Sequence, residues 1–305
     1  MENLLSTKDL CKKYGKHEIL KNVNMDIPKG AIFGLVGRNG AGKTTLMRIL
    51  TGLAEPTSGT YSIAGIKSND KKILTVRRRM GSIIESPAIY RNLSAYDNVK
   101  LQYINLGMTS FESIPELLNL VELQDTGKKK AGKFSLGMRQ RLGIAMAMVG
   151  DPDVLILDEP INGLDPQGII GVRDLLLKLN HDKNMTIIIS SHILFELSKL
   201  ATRFAFIDGG KIVRECSSYD IEHAGEKLMI ITASDASGLS SLLNANGYST
   251  ETVSNPDKVT IHGEVDITDV CILSRDNGIK ITDLKTVETD LEEFYVGVVG
   301  GNHNA

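Results

Sequence analysis

Gly37-Arg38-Asn39-Gly40-Ala41-Gly42-Lys43-Thr44, GRNGAGKT, sets a glycine, four residues, a second glycine, a lysine and a threonine in the order of a phosphate-binding loop. Its glycines let backbone N–H groups close around phosphate oxygens, Lys43 adds a cation, and the Thr44 hydroxyl can bind magnesium. Ile32, Phe33, Leu35 and Val36, just before the loop, read as a buried strand. Leu46, Met47, Ile49 and Leu50, just after it, form an apolar helical face, so a helix begins at once and aims its positive end at the anion. Strand, loop and helix in succession imply an α/β protein that binds a nucleoside triphosphate.

The 305 residues, 42% hydrophobic, can bury one full α/β core and leave room for a second, smaller unit. A formal net charge of -2 supplies no basic footprint and argues against nucleic acid as a direct partner. Arg77 to Arg79 reads as a solvated helix face. Cys11, Cys216 and Cys271 are widely separated and odd in number, which suits a reducing compartment and gives no metal-ligand spacing. No apolar run approaches the ~20 residues that span a bilayer, and Met1-Glu2-Asn3 does not open a signal segment, so the expected location is the cytoplasm.

Before the loop, Leu4 to Leu10 and Asn22 to Ile27 alternate as strands, joined by a turn through Gly15 and followed by another at Pro28-Lys29-Gly30. Tyr14 then sits at a strand end. Its ring could stack on a base, although a lone tyrosine there is more often packing. After the loop helix, Gly52 to Gly65 reads as a short hairpin. Met80 to Ile84 is a strand whose exit carries Glu85, usually a solvated position.

Asn92 to Gly150 turns helical, with Ser94 as a cap and Val99, Leu101, Leu117, Leu118 and Val121 on amphipathic faces, which suggests an inserted helical subdomain. Lys128 to Lys130 reads as an exposed turn. It leads to Ser135-Leu136-Gly137-Met138-Arg139 at the start of an apolar helix, a place for either a phosphate or an ordinary cap. Val154 to Leu157 is a compact apolar strand that delivers Asp158 and Glu159 together, as expected when one carboxylate holds magnesium and the next handles water. Asn162 to Pro166 turns the chain into another helix, and the buried strand Thr186 to Ser190 ends in Ser191-His192.

The succession of phosphate loop, SLGMR, ILDEP, NGLD and SSH resembles the ATP-binding cassette family over about residues 4 to 220. The resemblance implies a P-loop cassette with an antiparallel β subdomain and a helical subdomain at about 90–150. It implies ATP and magnesium as cofactors. Nucleotide contacts would come from Tyr14, the adenine-stacking aromatic, and from Gly37, Arg38, Asn39, Gly40, Ala41, Gly42, Lys43, Thr44 and Thr45. Magnesium would be held by Thr44 and Asp158, with Glu85 beside them. Glu159 would be the general base and His192 the switch histidine, with Lys43 assisting catalysis. Ser135 and Gly137 match the signature that engages ATP on the opposite subunit, and Asp165 would lie across that interface, so two cassettes, expected as a homodimer, would sandwich the nucleotide.

Leu136 and Met138 stand where the family signature usually has Gly and Gln, and Glu85 stands where most cassettes carry a loop Gln. These departures look like the branch that serves bacitracin resistance and lantibiotic immunity. The resemblance therefore implies an ATPase subunit that energises efflux of antimicrobial peptides through separate integral-membrane permease subunits, which contact the exported peptide or drug. Such a subunit would be peripheral on the inner face of the cell membrane. Export of other drugs or lipids, and a soluble non-transport ATPase, are the alternatives.

Beyond about residue 220 the pattern changes. Lys227 to Ala233, Ala236 to Ala245, Thr250 to Val253, Lys258 to His262, Ile267 to Ser274 and Ile279 to Leu284 suggest βαββαβ, a small ferredoxin-like α+β unit over 221–305. Leu291 to Val299 resembles the short terminal helix of this branch.

Overall fold

The computed structural model describes residues 3–224, 227–252, 257–263 and 265–288, and the expected terminal helix at Leu291 to Val299 lies outside them. The chain divides into two compact units, Met1–Ser218 and Tyr219–Ala305.

The first unit runs β1 (Asn3–Tyr14), β2 (His17–Pro28), β3 (Ile32–Val36), α1 (Lys43–Thr51), β4 (Ser58–Ile63), β5 (Ile66–Lys67), α2 (Ile73–Arg77), β6 (Met80–Ile83), α3 (Ala95–Asn105), α4 (Ile114–Leu120), α5 (Leu136–Ala147), β7 (Val154–Asp158), α6 (Pro166–Lys183), β8 (Thr186–Ser191), α7 (Leu194–Ser198), β9 (Arg203–Asp208) and β10 (Lys211–Ser217). Six strands form one sheet in the order β10-β9-β3-β8-β7-β6, in which only the β9–β10 pair is antiparallel. Its inner strands β3, β7 and β8 are buried along their whole length, which is why they read as continuous apolar runs. An antiparallel sheet, β2-β1-β4-β5, packs with α1 over one shared core that includes Leu20, Ile27, Phe33, Leu46, Met47, Leu50 and Ile188. The helical subdomain is α3 to α5, and Ser94 caps α3 by accepting a hydrogen bond from the Asp97 backbone at 3.1 Å.

Several elements differ from the sequence reading. β1 and β2 are each longer, because irregular pairings around Asp9 and Asn22, both with positive φ, break the alternation that would have revealed them. The expected hairpin at 52–65 begins instead at Ser58, turns at Ala64-Gly65 and returns through β5. Arg77 is no solvated residue: its guanidinium hydrogen-bonds the Tyr61 hydroxyl and lies 5.9 Å from that ring, while Arg79 pairs with Asp153 at 2.6 Å.

The second unit contains β11 (Lys227–Ala233), α9 (Ala236–Ala245), β12 (Ser249–Thr252), β13 (Lys258–His262), α10 (Ile267–Asp276) and β14 (Ile281–Glu288), after α8 (Ser218–Ala224). Its antiparallel sheet runs β12-β13-β11-β14, the ferredoxin-like order. Met229, Ile231, Val259 and Ile261 on alternate strand positions pack on Leu239, Leu243 and Val270 of the helices.

In the first unit, partial burial and then the Asp26 carboxylate push the Glu215 carboxyl of β10 above its ordinary range, against Arg203 and an Asp26 backbone hydrogen bond. A raised acid disfavours the fold once it ionises, so the penalty is absent below the unfolded-state value and grows as pH rises through the raised one. Glu215→Gln should therefore raise the melting temperature by about 1–3 °C at pH 7. The difference should close as pH falls below the ordinary glutamate value of ~4.3, measured by thermal denaturation across pH.

Candidate functional site

The carboxyl ends of β3, β7 and β8 are adjacent, since β8 pairs with both of the others, and an open parallel sheet presents its ligand crevice there. The loop leaving β3 depends on its glycines. Gly42 has φ 111°, and a Cβ on it would lie 2.8 Å from Leu20 Cδ2. A Cβ on Gly37 would lie 2.5 Å from the Ile207 carbonyl oxygen, so neither position admits a side chain. Arg38, Asn39 and Gly40 are exposed, Ala41, Gly42 and Lys43 buried, Thr44 and Thr45 half-buried. α1 starts with no side-chain cap and no acidic residue in its first turn, which leaves its amide donors and positive dipole end to an anion.

Five of the expected side chains meet in one network. The Thr44 hydroxyl donates to Asp158 Oδ2 at 2.7 Å. Lys43, only 5% exposed, donates to the Gly37 carbonyl at 2.6 Å and forms an ion pair with Glu159 Oε1 at 3.2 Å. The other Glu159 oxygen lies 2.7 Å from His192 Nδ1. A residue that the sequence reading did not single out completes it: the Ser190 hydroxyl donates to Asp158 Oδ1 at 2.6 Å and accepts from the Glu159 N–H at 2.9 Å. A hydroxyl closing the apolar run TIII was the available signal.

Tyr14, Ser135, Gly137, Asp165 and Glu85 stand apart from this network. Tyr14 ends β1 half-exposed, with Lys12 Nζ 4.8 Å from its ring centroid. Ser135 caps α5 by accepting from the Met138 N–H at 3.2 Å, and Asp165 caps α6 by accepting from the Gly168 N–H at 3.1 Å. Gly137 faces α6 across a space in which a Cβ would stand 3.7 Å from Gly168 Cα. Glu85, expected beside magnesium, has a protein partner of its own. Its carboxylate pairs with Arg48, one turn beyond Thr44 on α1, and it remains largely exposed. A neutral amide would bond that guanidinium more weakly, whereas the acid pairs with it by charge.

The oxygen set suits magnesium. Among the described residues no three His, Cys, Asp or Glu side chains gather to hold a metal unaided. Thr44 and Asp158 are hard oxygen donors held against each other, and magnesium commonly takes one or two protein oxygens and completes its shell with phosphate and water.

The sequence profile of ABC transporters matches residues 20–162. The bacitracin transport ATP-binding protein BcrA of Enterococcus faecalis is 36% identical over 302 residues, 99% of this chain and 98% of that protein. The lantibiotic transport ATP-binding protein SrtF of Streptococcus pyogenes is 48% identical over 217 residues, 71% of this chain and 92% of that protein. Among solved structures, a dimeric ATP-binding cassette in a post-hydrolysis state bound to ADP and Pi superposes with a TM-score of 0.63 at 29% identity, over 70% of this chain and 98% of that one.

Glu159→Gln keeps the shape of the side chain and removes its basicity. ATP hydrolysis should fall at least ~10²-fold while ATP binding persists, checked by phosphate release beside equilibrium binding of a fluorescent nucleotide.

Proposed function

The chain belongs to the ABC transporter family and hydrolyses ATP to drive transport, and we propose that the transport is export of bacitracin-like and lantibiotic peptides through separate integral-membrane permease subunits. The observation that carries the cargo assignment is the likeness to a bacitracin transport ATPase along essentially the whole of both chains. The still higher identity of a lantibiotic transport ATPase over the cassette supports it.

In the chemistry proposed for the site, the loop amides and Lys43 bind the phosphates, and Thr44 and Asp158 hold magnesium. The metal, when bound, neutralises charge on the triphosphate. Glu159 accepts the proton of the attacking water as its oxygen bonds the γ-phosphorus and ADP leaves. His192, 2.7 Å from the Glu159 carboxylate, orients that base. Tyr14 takes the adenine face.

Ser135, Gly137 and Asp165 are proposed to complete the site of a second copy of this chain. Among the described residues, the side chains of Ser135 and Asp165 hydrogen-bond to the first turns of their own helices, and a Cβ on Gly137 would stand at ordinary contact distance from Gly168 of α6. A dimer is how the related cassette with ADP and Pi is arranged.

Among the described residues no helix is long and apolar enough to cross a membrane, so the proposed pathway lies in other chains. Their docking place is proposed to be a cleft of ≈ 460 Å³ beside β6 and α5, lined by Leu53, Ile84, Tyr90, Leu106 and Met146. Glu85 follows directly on one wall of this cleft, so its ion pair with Arg48 gives the docking surface a link to the nucleotide helix. Engaged there, the chain would sit on the inner face of the membrane.

Deleting the gene in its native host should raise sensitivity to bacitracin or to lantibiotics at least several-fold in growth-inhibition assays while leaving unrelated toxic compounds unchanged. Restoring Glu159→Gln should not rescue resistance. Unchanged peptide sensitivity, or equal sensitisation to every compound, would remove the peptide assignment and leave the ATPase standing.

A further inference from the structure

Ser190 is wholly buried near the end of β8, and its single hydroxyl touches both carboxylate residues of the site. It donates to one oxygen of Asp158 while Thr44 donates to the other, so both oxygens of a nearly buried carboxylate are satisfied by hydroxyl donors from two different elements. It accepts from the backbone N–H of Glu159, a residue with φ 50°, in the left-handed region that non-glycine residues adopt only when the surroundings hold them there. Strand pairing alone does not supply this restraint. Asp158 is the last residue of β7, registered opposite Ser190, and Glu159 already lies beyond the ladder.

We infer that Ser190 is a positioning residue for ATP hydrolysis, setting the magnesium carboxylate and the general base relative to each other through one hydroxyl. The inference rests on the roles proposed for Asp158 and Glu159. An apolar residue fills the same strand space without either bond, so it would leave Asp158 one donor short and free Glu159 from the conformation that aims it. The hydroxyl costs a buried polar group on an otherwise apolar strand. Its donor and one acceptor site are both used within the protein, which is the condition under which such a group is tolerated.

The test compares the wild type with Ser190→Ala, Ser190→Val, Ser190→Thr and Asp158→Asn in the full chain. Three readouts are taken: kcat and KM for ATP, the magnesium concentration that half-maximally enhances binding of a fluorescent ADP analogue, and the melting temperature. Ser190→Ala and Ser190→Val should lower kcat by ~10- to 100-fold with KM within about threefold, and should raise the half-maximal magnesium concentration several-fold. Ser190→Thr, which keeps the hydroxyl, should recover most of both. ADP binding without magnesium should stay unchanged in the three Ser190 variants. If the Ala and Val variants lose melting temperature but keep kcat and the magnesium midpoint, or if Thr fails to rescue while remaining folded, Ser190 is a packing residue and the inference is overturned. If Asp158→Asn leaves the magnesium enhancement intact, the failure lies with the metal assignment itself, and the Ser190 inference falls with it.

Discussion

The Asp158 carboxylate, almost fully removed from water, is the constraint on which the site depends. An unpaired carboxylate in such a place is costly, and here each oxygen has its own hydroxyl donor, Thr44 from α1 and Ser190 from β8. Meeting that requirement forces three distant stretches of sequence together at one edge of the parallel sheet. The strand order does the rest, because β8 lies between β3 and β7, so the helix after β3 and the acids after β7 converge across the end of β8. The glycine loop is bound to the same geometry. With Ile207 and Leu20 against Gly37 and Gly42, the backbone keeps one path and delivers Lys43 and Thr44 in fixed directions.

Lys43 sets the second condition. Its ammonium is nearly buried, is paired with Glu159 and donates to the carbonyls of Gly37 and Arg38. The same carboxylate faces His192 through its other oxygen, so a cation, an acid and an imidazole share one chain of contacts. An incoming phosphate offers Lys43 a stronger acceptor than the neutral carbonyls, and the proposed base would then exchange a fixed positive partner for the water it is meant to deprotonate. Removing one member of such a chain leaves another charge uncompensated, which is why these residues act as a unit.

Much of this was legible in the sequence because the physics is local. A glycine pattern before a helix, an apolar strand ending in two acids, and a hydroxyl or carboxylate before a helix each specify their own surroundings, as Ser94, Ser135 and Asp165 do at three helix starts. The βαββαβ unit was legible for the same reason, its strands and helices being short and cleanly bounded. What was not legible depended on partners far away in the chain. Strand irregularities around Asp9 and Asn22 hid the start of β2, and Arg77 looked solvated because Tyr61 lies 16 residues away. Glu85 was expected near magnesium because its position was read, but its partner was not: Arg48 lies 37 residues earlier, on the helix that carries Thr44. Ser190 passed as one more strand residue, since only the pairing of β7 with β8 shows what its hydroxyl faces.

The Glu85–Arg48 pair connects these local and distant parts. Arg48 is one turn beyond Thr44 on α1, and Glu85 lies two residues beyond β6, next to Ile84 and Ser86 in the wall of the cleft beside α5. A charge pair exposed to solvent contributes little to stability, so conserving the fold is a poor account of it. Its value is directional. A neutral amide in place of Glu85 would make a weaker bond to a guanidinium, whereas the acid ties the loop to the nucleotide helix by charge, and the tie weakens whenever another anion competes for Arg48. The pair thereby joins the loop after β6 to α1 one turn beyond Thr44, while the buried Asp158 network stands apart from it.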